Sequence, residues 1–320
     1  DAMKIRLGYV STAITLFEAS PSKTMTFKTY SQLPKDDRNE KLKTVTAQNI
    51  ANTMRILYYN AAHEIELYRM SSSIVPLATH PEVLWDFVSP FRNEWKELGD
   101  FIKQKNMRVS FHPNQFTLFT SPRTEVTANA VKDMGFHYQM LKAMGIEKES
   151  YINIHIGGAY GNKEETIKRF HKQLKQLPSP IKAQMTLEND DKTYNTSETL
   201  RACEQEQIPF VFDYHHHMAN QCDEPLEQLV PRIFATWKKT GLPPKIHISS
   251  PKSEQTFRSH ADFVDVDFIL PLLEILKKQN NDVDFMIEAK NKDQAMLQLV
   301  NDLAQLRGVK QISGAALFIK

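Results

Sequence analysis

Short runs of apolar and β-branched residues recur along the chain, separated by longer stretches whose apolar positions repeat at helical spacing. The short runs are KIRLGY (Lys4 to Tyr9), EIELYRM (Glu64 to Met70), MRVSFH (Met107 to His112), YINIH (Tyr151 to His155), AQMTLE (Ala183 to Glu188), FVFD (Phe210 to Asp213), KIHIS (Lys245 to Ser249) and VDFMIE (Val283 to Glu288). Each has the length and residue types of a strand. Between them lie stretches such as KLKTVTAQNIANTMRILYYNAA, TEVTANAVKDMGFHYQMLKAM, SETLRACEQEQ and DFILPLLEILKKQ, with AMLQLVNDLAQL near the end, all predicted helical. Eight strands alternating with helices predict an α/β fold, a single (β/α)8 TIM barrel over residues 3–320. Two open sheets would leave a linker or a shift of composition near the middle, and none is found. A doubly wound sheet usually carries a glycine-rich first turn, whereas GYVSTAITL follows the first strand without GxGxxG or GxxxxGK[ST]. The polar segment FEASPSKTMTFKTYSQLPKDD is too long for a tight turn and is predicted to be an elaborated loop on the catalytic face.

Composition narrows the class. At 320 residues the chain can form one large barrel or two ordinary domains. Hydrophobic residues at 41%, charged residues at 24% and only 10 Gly argue against disorder and low-complexity linkers. Cys203 and Cys222 have no CxxC spacing, which excludes a zinc ribbon and suits free thiols in a reducing compartment. No apolar run approaches the roughly 18 to 20 residues of a membrane span and no signal-peptide pattern opens the chain, so a cytoplasmic protein is expected. Asp1 and Ala2 precede Met3, which reads as a natural start behind a cloning scar. A net charge of +2 neither demands nor forbids nucleic acid, because a local basic patch can supply phosphate contacts.

The chemistry lies in how the strands end. The third ends at His112, the fourth at His155, the fifth at Glu188, the sixth at Asp213 and the eighth at Glu288, and the seventh carries His247 near its end. Barrel active sites form at the C-terminal ends of strands, so six side chains from six strands are expected to converge on one mouth. They are N and O donors without thiolate, a set that suits Mn²⁺, Zn²⁺, Fe²⁺ or Co²⁺, and there are more of them than one ion needs. In VFDYHHH, strand alternation turns Asp213 inward, and a turn starting there returns His216 to the same centre, leaving His215 and His217 unassigned. If His247 points into the mouth, Lys245 points inward one layer deeper. An ammonium there is untenable in contact with divalent cations, so Lys245 is deprotonated, held away from the ions, or converted to an anionic carbamate. His260 in FRSHADF is placed as a further ligand; His80 in LATHPE either faces the mouth or caps the following helix. His63, His137 and His171 read as ordinary helix residues.

Taken together, GYV, YRMSSSIVPLATHP, SFHPNQF, NIHIGG, LEND, FDYHHH, KIHISS, RSHADF and FMIEAK resemble the UV damage endonucleases, over essentially the whole chain and in order. The resemblance implies a barrel related to endonuclease IV with up to three divalent ions, usually manganese, with zinc, cobalt or magnesium as alternatives. Carried over by motif, the ligands are His112, His155, Glu188, Asp213, His216, His247, His260 and Glu288, with Lys245 as a carboxylated lysine. Glu188, Lys245 and His80 are the catalytic candidates. Tyr9 and Gln115 are implied to fill the space vacated by the lesion nucleotides, although Ala13 stands where relatives often carry Asn.

The implied reaction is hydrolysis 5′ to cyclobutane dimers, 6-4 photoproducts or abasic sites in double-stranded DNA, leaving 3′-hydroxyl and 5′-phosphate ends and initiating alternative excision repair. A weakened stack makes the lesion cheaper to extrude than intact DNA. Lys252, Arg258, Lys290, Lys292 and Lys163 lie in loops where they could meet phosphates. A monomer without an obligate protein partner or membrane is expected. Two alternatives remain from the residues alone: a metal-dependent sugar isomerase or epimerase of the same fold, and a module that binds damaged DNA without cutting it.

Overall fold

Strand β1 (Met3–Val10) pairs in parallel with both β2 (Leu67–Arg69) and β8 (Val283–Ile287), and that double pairing closes the sheet into a barrel. The computed structural model describes residues 2–320, so Asp1 of the expected scar lies outside the described residues. The intervening strands are β3 (Arg108–Phe111), β4 (Tyr151–His155), β5 (Met185–Glu188), β6 (Phe210–Asp213) and β7 (Lys245–Ile248), each parallel to the next. The expected eight-stranded TIM barrel is present.

The helices in order are α1 (Phe27–Gln32), α2 (Lys35–Ala62), α3 (Arg92–Gln104), α4 (Thr124–Met144), α5 (Lys163–Leu174), α6 (Ser179–Lys182), α7 (Thr196–Glu206), α8 (Tyr214–Ala219), α9 (Leu226–Ala235), α10 (Val266–Lys277) and α11 (Lys292–Ala304). Their ends follow local chemistry. Asn195 and Glu198 form a reciprocal capping box at the start of α7, and Gly145, left-handed at φ 71°, closes α4.

Three features depart from the sequence pattern. The loop after β1 contains α1, and α2 begins at Lys35 rather than Lys41. The histidine tract folds as the short helix α8, whose start Asp213 caps by accepting from the His216 N–H at 2.8 Å. A hairpin of β9 (Val309–Ser313) and β10 (Ala316–Ile319) adds antiparallel to β1 beyond the barrel closure.

Alternation divides β1 between two surroundings. Ile5, Leu7 and Tyr9 are fully buried in the apolar core, whereas Arg6 points into the barrel. There Asp284 of β8 meets Arg6 at 2.5 Å and Arg108 of β3 at 2.9 Å. Strands β3 and β8 are not neighbours, so this ion-pair triad spans the barrel interior. Arg108 also stacks its guanidinium over Trp237 at 5.0 Å. The barrel therefore has a charged floor beneath its mouth. Gly8 is required between them, because a Cβ there would overlap the Leu67 carbonyl.

Candidate metal centre

Glu188 closes β5 with its carboxylate buried in the middle of the mouth. Its Oε1 lies 3.2 Å from His112 Nε2 and 3.3 Å from His155 Nε2. Its Oε2 lies 3.2 Å from His216 Nδ1 and 3.1 Å from His247 Nδ1. Four imidazoles from four different strand ends thus surround one carboxylate. Asn153, two residues before His155 and on the same face of β4, donates to Glu188 Oε1 at 2.8 Å and accepts from the Thr186 hydroxyl at 2.8 Å. The hub is fixed from below by neutral groups.

Two tight sets of ligand atoms share this hub. His112, His155 and Glu188 form one, and Glu188, Asp213, His247 and Glu288 the other, the atoms of each lying within 4.8 Å of one another. A carboxylate common to both can bridge two ions. Asp213 Oδ2 and His247 Nδ1 are buried without a hydrogen-bond partner. Buried polar atoms are rarely left so, and a divalent cation would satisfy both. The donor chemistry fits hard or borderline ions.

The charges of the three carboxylates divide unequally. Burial opposes ionisation of Glu188, yet His247 and His155 outweigh it and hold the carboxyl well below the usual range. Glu288 is likewise lowered against burial by His247 and by Arg69, whose Nη2 pairs with Oε2 at 2.8 Å. Asp213 goes the other way: burial, reinforced by the Glu188 and Glu288 charges, pushes it well above a normal carboxylate despite His216. Burial disfavours cationic imidazole at His155 and His216, but Glu188 with Asp190 raises the first to about 10, and Asp213 with Glu188 the second to about 11. Cations entering this cluster would displace protons from it.

The remaining candidates are distributed around this core. His216 Nδ1 also lies 2.8 Å from the Asn189 carbonyl oxygen, leaving Nε2 free. His260 arrives from the loop after β7, its ring 5.6 Å from that of His215, and lies outside the two tight sets; burial lowers its pKa despite the Glu288 charge. Lys245 lies one layer below His247, in register with Asp284. Burial first, then Arg108, drives its pKa well below that of a normal lysine, which disfavours the ammonium form at this depth.

Others stand apart. Tyr9 is fully buried, donating its hydroxyl to Asn60 Oδ1 and tilting against Tyr68 at 5.3 Å. It belongs to the layer between barrel and helices, because alternation that sends Arg6 inward sends Tyr9 outward, which corrects the expectation that it fills space at the lesion. His80 stacks on Phe27 at 4.1 Å and accepts from the Glu82 N–H at 3.2 Å, away from the carboxylate cluster. Gln115 is exposed in the loop after β3, next to the exposed Phe116. Lys252, Arg258 and Lys290 are exposed and Lys292 partly so. Arg258 donates to the Asp191 carbonyl oxygen at 3.2 Å, and Lys163 is engaged with Glu198 at 3.0 Å.

Several participants escaped the sequence pattern. Asn153 and Arg69 are not typical ligand types, Asp190 lies beyond the strand end that Glu188 marks, and only their positions at or near the ends of β4, β5 and β2 mark them. Asp190 lies 3.4 Å from His155 Nδ1. The two unassigned histidines are tethers: His215 donates from Nε2 to the Phe257 carbonyl oxygen at 2.5 Å and bonds Ser249 through Nδ1 at 2.8 Å. His217 bonds Thr196 at 2.7 Å, and burial lowers it to about 4.

Comparison with known proteins adds a family to this geometry. The family model described as UV-endonuclease UvdE matches residues 5–320. A UV DNA damage endonuclease of Bacillus cereus (strain B4264) is 59% identical over 315 residues, covering 98% of this chain and 99% of the relative. One of Bacillus mycoides (strain KBAB4) is 60% identical over the same coverage. The crystal structure of SacUVDE superposes with a TM-score of 0.83 at 30% identity, covering 94% of this chain and all of that one.

Proposed function

The chain belongs to the UV-endonuclease UvdE family, and on that premise we propose that it incises double-stranded DNA on the 5′ side of UV photoproducts, using divalent metal held at the barrel mouth. The observation that carries the reading is Glu188 shared between two overlapping sets of N and O ligands. In this reading His112, His155, Asp213, His216, His247, His260 and Glu288 complete the ligand set around Glu188, with manganese as the resident ion and up to three ions in all. Bound ions would supply Lewis acidity toward the phosphodiester and acidify water for in-line attack. The chain's own residues orient the ligands: Asn153 fixes Glu188, Asp190 aims His155, and Arg69 holds Glu288. His80 remains a candidate for substrate contact rather than metal binding. Cyclobutane dimers, 6-4 photoproducts and abasic sites are the proposed lesions, cut to leave 3′-hydroxyl and 5′-phosphate ends by a monomer acting as one catalytic domain.

Lys245 fits an anionic form. Arg108 has Asp284 as its one ion-pair partner among the described residues, an aspartate it shares with Arg6, and its Nη2 is buried without a hydrogen-bond partner. A neutral Lys245 amine attacking CO₂ at carbon with loss of one proton would give a carbamate whose charge complements Arg108, the first of the charges acting on Lys245. Neutral, native mass measurement of the intact chain should show one added CO₂.

A macromolecular substrate is favoured over a sugar by the rim. Ile14, Phe17, Leu84, Phe116, Tyr160 and Phe263 are all exposed, and all lie in loops that follow barrel strands. Exposed apolar side chains ringing a polar mouth suit a stacked, charged polymer. A labelled duplex carrying one cyclobutane dimer tests the reading. Metal-dependent cleavage 5′ to the dimer is expected; a shifted but uncut duplex would favour a binding module, and an untouched duplex a small-molecule enzyme.

A further inference from the structure

We propose that the loop after β1 is a rigid apolar wedge that drives Phe17 into a base step of the bound duplex; this rests on the reading above that duplex DNA is the substrate. Phe17 is 80% exposed, the most exposed of the large apolar side chains among the described residues. An apolar side chain left in water gains nothing for the fold, and a loop tip carrying one would ordinarily be mobile.

This tip is anchored. Asp293, fully buried at the start of α11, accepts the Ile14 N–H at 2.7 Å, the Thr15 hydroxyl at 2.5 Å and the Tyr59 hydroxyl at 2.7 Å. Arg55 of α2 donates to the carbonyl oxygens of Phe17 at 2.9 Å and Glu18 at 3.0 Å. Asn52 donates to that of Ser20 at 2.8 Å. Glu18 is held left-handed at φ 45°, a conformation that L side chains rarely adopt. A buried carboxylate, an arginine and strained backbone thus converge on presenting a phenyl ring that packs on little else.

Position identifies what the ring meets. Ser11 and Ser22, on either side of the Phe17 tip, line a cleft of about 390 Å³ together with Arg69 and His112, so the wedge is tied to the wall of the metal mouth. Lys290, exposed, and Lys292 immediately precede the anchoring Asp293, so the element that fixes the wedge also brings two cations for flanking phosphates. A protruding aromatic beside cations is the arrangement by which proteins unstack a base step and bend a duplex. A flat protein interface would need a broader apolar patch.

The test compares Phe17→Ala, Phe17→Trp and the wild-type, metal-loaded enzyme on one dimer presented in a duplex and in an unpaired bubble. Phe17→Ala should lose about tenfold or more in single-turnover incision of the duplex, the scale of one lost stacking contact. On the bubble, where stacking is already broken, it should stay within about twofold of wild type, and Phe17→Trp should restore the duplex rate. A 2-aminopurine beside the dimer should brighten on binding wild type and Phe17→Trp but not Phe17→Ala. Equal duplex rates for Phe17→Ala and wild type, equal losses on duplex and bubble, or no rescue by Trp would each overturn the wedge while leaving the endonuclease reading intact. Failure of the wild type on both substrates would instead overturn that reading, and the wedge with it. Phe17→Ala that keeps the duplex rate but loses capture of a protein would reassign the tip to a protein partner.

Discussion

The floor and the mouth of the barrel are both buried and both charged, yet their charges are neutralised by different means. On the floor the partners are arginines: Asp284 is held by Arg6 at 2.5 Å and Arg108 at 2.9 Å. At the mouth, three carboxylates crowd against imidazoles, and Asp213 Oδ2 and His247 Nδ1 have no hydrogen-bond partner. Arginine is permanently charged and fork-shaped, so it completes a structural ion pair. Imidazole, unlike guanidinium, can give up its proton and then offer a lone pair, so a carboxylate–imidazole cluster can exchange protons for metal. The same depth of burial thus yields a structural element in one layer and a reactive one in the next.

The contrast breaks most sharply at its two hubs. Glu188→Gln should lower incision by at least about 10²–10³-fold while circular dichroism stays native, because the bridging charge is lost and the shape kept. An active Glu188→Gln variant would remove Glu188 from the chemistry. Asp284→Asn should do the reverse, lowering stability by roughly 3–5 kcal/mol in denaturant titration because the buried Arg108 guanidinium loses its counter-charge. The sign with pH follows. Burial opposes ionisation of Asp284, but Arg6 and Arg108 outweigh it, so its folded pKa lies below the unfolded value. Its contribution is complete at neutral pH and lost as pH falls through the folded pKa, and the Asn variant should show a correspondingly flatter acid limb.

A smaller effect is expected one bond out. Asp190→Asn should weaken metal affinity by about 10- to 100-fold, through loss of the carboxylate that aims His155. With His155 raised to about 10 and His216 to about 11 in the metal-free cluster, metal uptake near neutral pH should release protons. Calorimetry in two buffers of different ionisation enthalpy would expose this, and a buffer-independent heat would contradict it. The smallest change should be Tyr9→Phe, costing about 1 kcal/mol of stability for the Asn60 hydrogen bond. Its incision rate should equal wild type, and a large loss would return Tyr9 to the site.

The strand ends were legible because alternation and barrel topology together dictate where a residue such as Glu188 or His155 must point. The same alternation, applied to Tyr9, places it outside, and motif resemblance alone had pulled it inward. The terminal hairpin Val309–Ser313 and Ala316–Ile319 was not legible, since three of five β9 residues are exposed and the apolar alternation is weak. Arg69 and Asn153 were hidden for a different reason: they act on ligands, so residue type does not announce them. His215 and His217 were unassigned because tethers such as Ser249, Phe257 and Thr196 are distant in sequence.

Incision of UV-irradiated supercoiled plasmid tests the central claim, with chelated protein assayed before and after Mn²⁺ is restored. Irradiated plasmid should be nicked only after metal returns, and unirradiated plasmid should remain supercoiled throughout. Nicking by the chelated protein, or no nicking of irradiated DNA with metal present, would contradict a metal-dependent repair endonuclease built around Glu188.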